Sequence, residues 1–191
     1  PSNGLDAVKM LRTAVREAST SGRVIVFIEP IALYMMKDLH NEKDGKWSFT
    51  YPNQNEEIPI GKFKSYGLGN ALTIITYGNG LYLSLQAKKI IEETTKKEIK
   101  VIDLRWLSDI DYPALVNEMN LCKKILIIDE CRKIGCHGEG IFYELSKKMT
   151  TKVKIKLHAA KNSYISLGVA ATATLPSRES ISKKGIEFIN E

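Results

Sequence analysis

The sequence predicts an α/β protein: a three-layer domain with helices on both faces of a largely parallel sheet. Three observations carry this. From residue 71 onward, short β-branched apolar runs alternate with segments of helical spacing, the pattern of right-handed β-α-β units. Gly78-Asn79-Gly80 and Gly135-Cys136-His137-Gly138 each stand between an apolar run and a helical segment, where a strand-to-helix turn belongs. The chain has 191 residues, 43% of them hydrophobic and 26% charged. That is a globular composition, long enough to enclose a core.

Each element follows from its own residues. In 5–18, Val8, Leu11, Ala14, Val15 and Ala18 recur at the spacing of one helical face, with Ser2 or Asn3 as cap. Residues 19–23 form a turn. Residues 24–28 are a continuous β-branched run, the mark of a buried strand, and Glu29-Pro30 ends it. Residues 35–54 are polar, charge-mixed and broken by Gly45 and Pro52, a surface connection. Residues 58–66 give a strand with Ile60 and Phe63 as apolar contacts. Strands are then expected at 71–77, 99–104, 125–129 and 153–157, and helices at 81–94, 112–122, 138–149 and 180–190. Ile90 and Ile91 turn to the core in the first of these helices, and Ile181, Ile186 and Ile189 in the last, which starts at the Ser177–Ser180 signals. The chain therefore divides into a helix–strand piece at 1–35, a linker at 36–55 and a complete α/β domain at 56–191. A lone helix and strand cannot bury their apolar faces, so the first piece must dock on the domain or on material outside this sequence. The absence of an initial Met points to a processed product or an excised piece.

Composition narrows the function classes. The formal charge is +6, but the lysines are scattered pairs such as Lys88/Lys89 and Lys183/Lys184. No basic-aromatic stacking surface emerges, so nucleic acid is not an expected partner. No apolar run is long enough to span a membrane, and no secretory leader is recognisable. Cys122, Cys131 and Cys136 fit no zinc spacing and read as reduced thiols of a cytoplasmic protein.

Candidate chemistry is sparse. Gly78-Asn79-Gly80 can aim backbone N–H groups at an anion, or be a plain tight turn. The third glycine of a dinucleotide fingerprint is here Leu83. Cys136-His137 lacks further ligands for a metal, and a dyad needs the two side chains to face each other. Asp129-Glu130 falls at the carboxyl end of a strand, where open α/β sheets place ligands, yet solvated or helix-favouring carboxylates fit the same position. Arg105, in Asp103-Leu104-Arg105-Trp106-Leu107, can clamp a carboxylate or phosphate, or form a structural ion pair with Asp109 or Asp111. There is no G-x-S-x-G elbow. From the residues alone, no complete active site is present.

Several stretches resemble one family. They are Phe27-Ile28-Glu29-Pro30-Ile31-Ala32-Leu33-Tyr34, Ile58-Pro59-Ile60-Gly61-Lys62, Leu72-Thr73-Ile74-Ile75-Thr76-Tyr77-Gly78, Val101-Ile102-Asp103-Leu104-Arg105-Trp106-Leu107 and Ile128-Asp129-Glu130-Cys131-Arg132-Lys133, with Gly138-Glu139-Gly140 and Ser163-Tyr164-Ile165-Ser166-Leu167-Gly168. Their order and spacing resemble the transketolase-like thiamine diphosphate enzymes. The resemblance is to the β part of the decarboxylating first component of 2-oxo acid dehydrogenases, as a separate subunit or fused to the α part. It implies a transketolase C-terminal-type domain with a five-stranded mixed, mostly parallel sheet whose first strand is antiparallel. Residues 1–35 would be the last helix and strand of the pyrimidine-binding domain.

The resemblance also implies an enzyme that uses thiamine diphosphate with magnesium to decarboxylate a 2-oxo acid and pass the acyl unit to a lipoyl arm. The family's Gly-Asp-Gly metal motif is missing, and no histidine precedes His40. This chain is thus expected to be inactive alone, with a structural and subunit-association role. Implied partners are the remaining domains or subunits, the lipoyl acyltransferase core and further copies of the chain. Arg105 matches an arginine near the substrate channel of some relatives. Ala14, Val15 and Glu17 match a potassium-binding segment, with Glu17 where an aspartate is usual. Where the family has Gly-Gly, this chain has Gly135-Cys136. The alternatives are a transketolase or deoxyxylulose phosphate synthase relative, which would need more phosphate-clamping groups than Arg105 and Arg132, and a stand-alone interaction domain.

Overall fold

The structure, a computed structural model, describes residues 1–149 and 152–191. Its elements in chain order are α1 (Gly4–Ser21), β1 (Lys64–Tyr66), β2 (Thr73–Thr76), α2 (Asn79–Thr95), β3 (Lys100–Asp103), α3 (Tyr112–Glu118), β4 (Lys124–Arg132), α4 (His137–Lys148), β5 (Lys154–Ala160) and α5 (Arg178–Asn190), with short 3-10 turns at Ile31–Leu33 and Gly168–Ala173. The strands form one five-stranded sheet in the order β1-β3-β2-β4-β5. β1 runs antiparallel to β3, pairing Ser65 with Ile102, while β3, β2, β4 and β5 are mutually parallel. The mixed sheet predicted through the resemblance is present.

Strand alternation builds the two halves of the core. Ile74, Val101, Leu126 and Ile128 point to one face, where Leu81, Leu85 and Ile91 of α2 and Ile181, Phe188 and Ile189 of α5 cover them. Ile75, Ile102, Ile125 and Ile127 point to the other face, against Leu115 of α3 and Ile141 and Leu145 of α4. α2 and α5 approach closely at Gly185, where an added Cβ would lie 2.6 Å from Ile91 Cδ1. α5 begins with a capping box between Ser177 and Ser180.

The N-terminal third departs from the sequence expectation in four ways. α1 does not end at Ala18 but runs to Ser21, where Gly22 at φ 67 caps it in the left-handed conformation. Its buried residues are Asp6, Met10, Thr13 and Ala14, whereas Leu11 and Val15 are exposed. The Val8–Leu11–Val15 stripe is therefore not the face that packs here. Met10 instead meets Ile58 and Trp106, and Thr13 Oγ1 donates to the Ile58 carbonyl at 2.9 Å.

Second, residues 24–28 are not a buried strand. Among the described residues they pair with no other strand, and Val24 and Val26 are 91% and 81% exposed. Only the alternate side touches the chain, Phe27 resting on the Met10 cluster. The β-branched run is real, but no strand among the described residues accepts its backbone.

Third, residues 58–66 contribute only Lys64–Tyr66 to the sheet. Ile58 turns to α1 and Phe63 to the α3 side of the core. Fourth, the 35–54 connection is not all surface. Trp47 is buried against Tyr82 of α2. Tyr82 Oη and Gln86 Nε2 donate to the carbonyls of Asp38 and Leu39 at 2.8 and 2.7 Å. Asp44 gathers the N–H groups of Leu39, His40, Asn41 and Lys46.

Candidate functional site

The parallel strands bring their carboxyl ends to one edge, the position at which open α/β sheets place ligands. The ends of β3 and β4 each carry a buried carboxylate there.

After β3, Arg105 takes a left-handed backbone, φ 61, which turns its side chain back over α1. Its Nε and Nη2 donate to the two oxygens of Asp6, each at 2.8 Å. Asp6 is 1% exposed. Asn3, the α1 N-cap, accepts from the Asp6 N–H and donates to its carboxylate. Arg105 is thus engaged bidentately, and its partner is neither Asp109 nor Asp111. Asp109 meets Arg23 instead at 3.0 Å, and Asp111 caps α3.

Asp103 lies beneath this pair. One of its oxygens accepts from the Arg105 N–H at 3.1 Å, and the other has no hydrogen-bond partner. Burial pushes its carboxyl up to about 6; the Arg105 N–H opposes this, and the Asp6 charge adds to it. Burial, then the Asp103 and Asp6 charges, also raise the Tyr66 phenol. The arrangement locks α1 to the sheet edge and leaves one buried carboxyl able to hold a proton near neutrality.

After β4, Asp129 is 1% exposed and organises the next turn. Oδ1 accepts from Tyr77 Oη and the Cys131 N–H, both at 2.8 Å. Oδ2 accepts from the Gly138 N–H at 2.7 Å. A Cβ on Gly138 would fall 2.7 Å from Leu157 Cδ1 and 3.2 Å from Asp129 Oδ2, so a side chain here would have to displace Leu157. Asn79, in the predicted glycine turn, donates to Glu130 at 2.7 Å. The Glu130 carboxyl is raised by burial, opposed by Asn79 and reinforced by Asp129. The Asp129-Glu130 pair is engaged in building turns. Cys136 is the buried N-cap of α4, and the His137 ring stacks edge-on with Tyr77 at 6.2 Å. Cys136 and His137 bring no metal set with them: among the described residues no group of three or more His, Cys, Asp or Glu side chains can hold a metal ion.

Ala14, Val15 and Glu17 lie inside α1, which continues to Ser21. Their carbonyls face the N–H groups one turn on, and the Glu17 carbonyl also accepts from Ser21 Oγ. The Glu17 side chain meets Arg16. These oxygens are engaged within the helix. The sequence has no Gly-Asp-Gly, the motif that holds magnesium in the family it resembles.

Sequence reasoning missed Asp6. Asp6 follows Asn3 by three positions, a capping signal, but nothing in the pattern ties it to a residue 99 positions away.

The model of the transketolase C-terminal domain matches residues 61–174. The pyruvate dehydrogenase E1 component subunit beta of Staphylococcus aureus is 26% identical over 191 residues, covering 99% of this chain and 54% of that protein. The same subunit of Acholeplasma laidlawii is 29% identical over 160 residues, covering 84% of this chain and 43% of that protein. The chain thus spans about half the length of the curated relatives it matches. Among solved structures, a split-gene transketolase described as an inactive beta4 tetramer superposes with a TM-score of 0.60 at 18% identity, over 71% of this chain and 44% of that one. With its five-stranded mixed sheet and a family match across residues 61–174, the chain belongs to the transketolase C-terminal domain family and is distantly homologous to the pyruvate dehydrogenase E1 β subunit over nearly its whole length.

Proposed function

We propose that this chain is the C-terminal region of a thiamine diphosphate-dependent 2-oxo acid dehydrogenase, the decarboxylating component that passes an acyl unit to a lipoyl group. Its own task is structural: it carries subunit contacts and does not turn over substrate alone. The observation that supports this best is the similarity to E1 β subunits along 99% of the chain but only about half of theirs. The exposed β-branched segment at 24–28 agrees, because it has strand composition and no sheet to join.

When bound in the parent enzyme, thiamine diphosphate supplies the electron sink for decarboxylation. Its diphosphate and magnesium are held by residues outside this chain. Within the chain, Arg105 fixes α1 against the carboxyl edge of the sheet, and so sets where the preceding domain sits. In this reading its guanidinium meets substrate only if Asp6 releases it.

Titration calorimetry tests the reading. Thiamine diphosphate with magnesium gives no binding heat with this chain and saturable heat with the parent polypeptide. Tight binding by this chain alone overturns it.

Self-association is a second reading. Val24, Val26, Ile28, Leu11 and Val15 are exposed apolar side chains, of the kind that gather in interfaces, and the similar split-gene transketolase is described as a tetramer of β chains. Light scattering showing only monomer at high concentration removes this reading.

A further inference from the structure

The β4–α4 connection folds back on itself around a single side chain. Asp129, near the end of β4, takes the Cys131 N–H on one carboxylate oxygen and the Gly138 N–H on the other. Between these anchors, Gly135 at φ 77 reverses the chain. Its N–H donates to Glu139 Oε2 at 2.8 Å, and the Glu139 N–H returns to the Cys136 carbonyl at 3.2 Å. The connection is therefore a closed turn whose two ends share one carboxylate. A cysteine stands at each end: Cys131 exposed on the outgoing side, Cys136 buried at the α4 N-cap on the returning side. Both thiols sense the Asp129 charge. Cys122, by contrast, is buried away from this turn and hydrogen-bonded to the Lys124 carbonyl.

We propose that Cys131 and Cys136 are a redox pair that closes to an intramolecular disulfide across the β4–α4 turn. The oxidant class is a low-molecular-weight disulfide such as oxidised glutathione. The exposed Cys131 loses its proton to solvent, and its sulfur attacks one sulfur of that disulfide. The glutathione S–S bond breaks, and one glutathione thiolate leaves with the bonding pair and takes up a proton. Cys136 then gives up its proton, and its sulfur attacks Cys131 Sγ in the mixed disulfide. The protein S–S bond forms, and the second glutathione leaves as a thiol. Two protein thiols are oxidised, and one disulfide is reduced to two thiols. The shared anchor on Asp129 holds the two ends of the turn together, and the exchange requires the two sulfurs to meet across it. Burial first, then the Asp129 charge, hold both thiols above the ordinary cysteine range, so the exchange is followed over hours. The bridge would pin the turn that Tyr77, Asp129 and Gly138 build, and so couple the carboxyl edge of the sheet to the redox state.

Peptide mapping tests this. The purified chain is equilibrated with reduced and oxidised glutathione, quenched with an alkylating reagent and cut with trypsin. Cleavage after Arg132 and Lys133 separates the two cysteines into residues 125–132 and 134–147. The expected product is these two peptides joined by one disulfide, with a mass two hydrogens below their sum and Cys122 fully alkylated. Its yield rises with the proportion of oxidised glutathione and is unchanged in Cys122→Ser. Cys136→Ser stops the reaction at Cys131 joined to glutathione, and the circular dichroism of that variant confirms that it remains folded. A wild-type chain that also stops at the Cys131–glutathione adduct, or that links Cys131 only between chains, overturns the proposal.

Discussion

Asp6 and Arg105 make the contact on which the seating of α1 depends. Both are nearly shut off from water, with side-chain exposures of 1% and 11%. Removing one partner of such a pair strands the other charge, at a cost of about 3–5 kcal/mol. Arg105→Ala and Asp6→Ala should each lower the urea midpoint by an amount of that order. The double variant should fall well short of their sum. Arg105→Lys keeps the charge and loses the fork, so it should sit between wild type and Arg105→Ala. Additive losses in denaturant titrations would mean the pair is not coupled.

Asp103 gives a pH signature at the same place. Its folded-state value of about 6 lies above the roughly 4 of an unfolded aspartate. The folded state therefore binds more protons between these values, and stability from this group falls as pH rises from about 4 to about 6. The loss is on the order of 2–3 kcal/mol. Asp103→Asn should remove that slope, leaving a flatter profile in this window. An unchanged slope in the variant would assign it to other groups.

The elements show where sequence reading succeeds. β2, β3 and β4 are buried on both faces, so their residues read as continuous apolar runs and their placement follows from composition. β1 is short, half-buried and antiparallel, and only three of its residues enter the sheet; periodicity alone places Ile58 there, and α1 takes it instead. Residues 24–28 carry a strand signal with no paired strand among the described residues, so local pattern and local environment disagree. The site was legible as positions: the edge carboxylates and Arg105 stood where ligands bind in such sheets. Their engagement was not, because Arg105 closes on Asp6 across the whole domain.

Helix packing yields a further prediction. At Gly185 an added methyl meets the flexible end of Ile91, so Gly185→Ala should cost about 1–3 kcal/mol by overpacking. Ile91→Val deletes the Cδ1 in the way and should recover part of that loss. Ser177→Ala removes the α5 capping box and should cost about 1 kcal/mol. Thermal melts of the four variants check these values; no recovery in Gly185→Ala/Ile91→Val would contradict the close approach of α2 and α5.

Across the whole molecule, the domain from β1 to α5 closes its own core on both faces of the sheet, while the N-terminal segment does not. α1 seats one side on Ile58 and Trp106 and turns Leu11 and Val15 outward. Beside it the 24–28 run offers an unpaired backbone and a row of β-branched side chains. No described helix is long and apolar enough to cross a membrane, so these apolar groups are not explained by a spanning helix. Under the proposed reading, another polypeptide layer covers them. The most direct measurement is 2-oxo acid decarboxylation, followed by reduction of an artificial electron acceptor, with the parent polypeptide and with this chain. The expected result is turnover by the parent that requires added thiamine diphosphate and magnesium, and none by the chain. Turnover by the chain alone, or a parent indifferent to the cofactor, would contradict it.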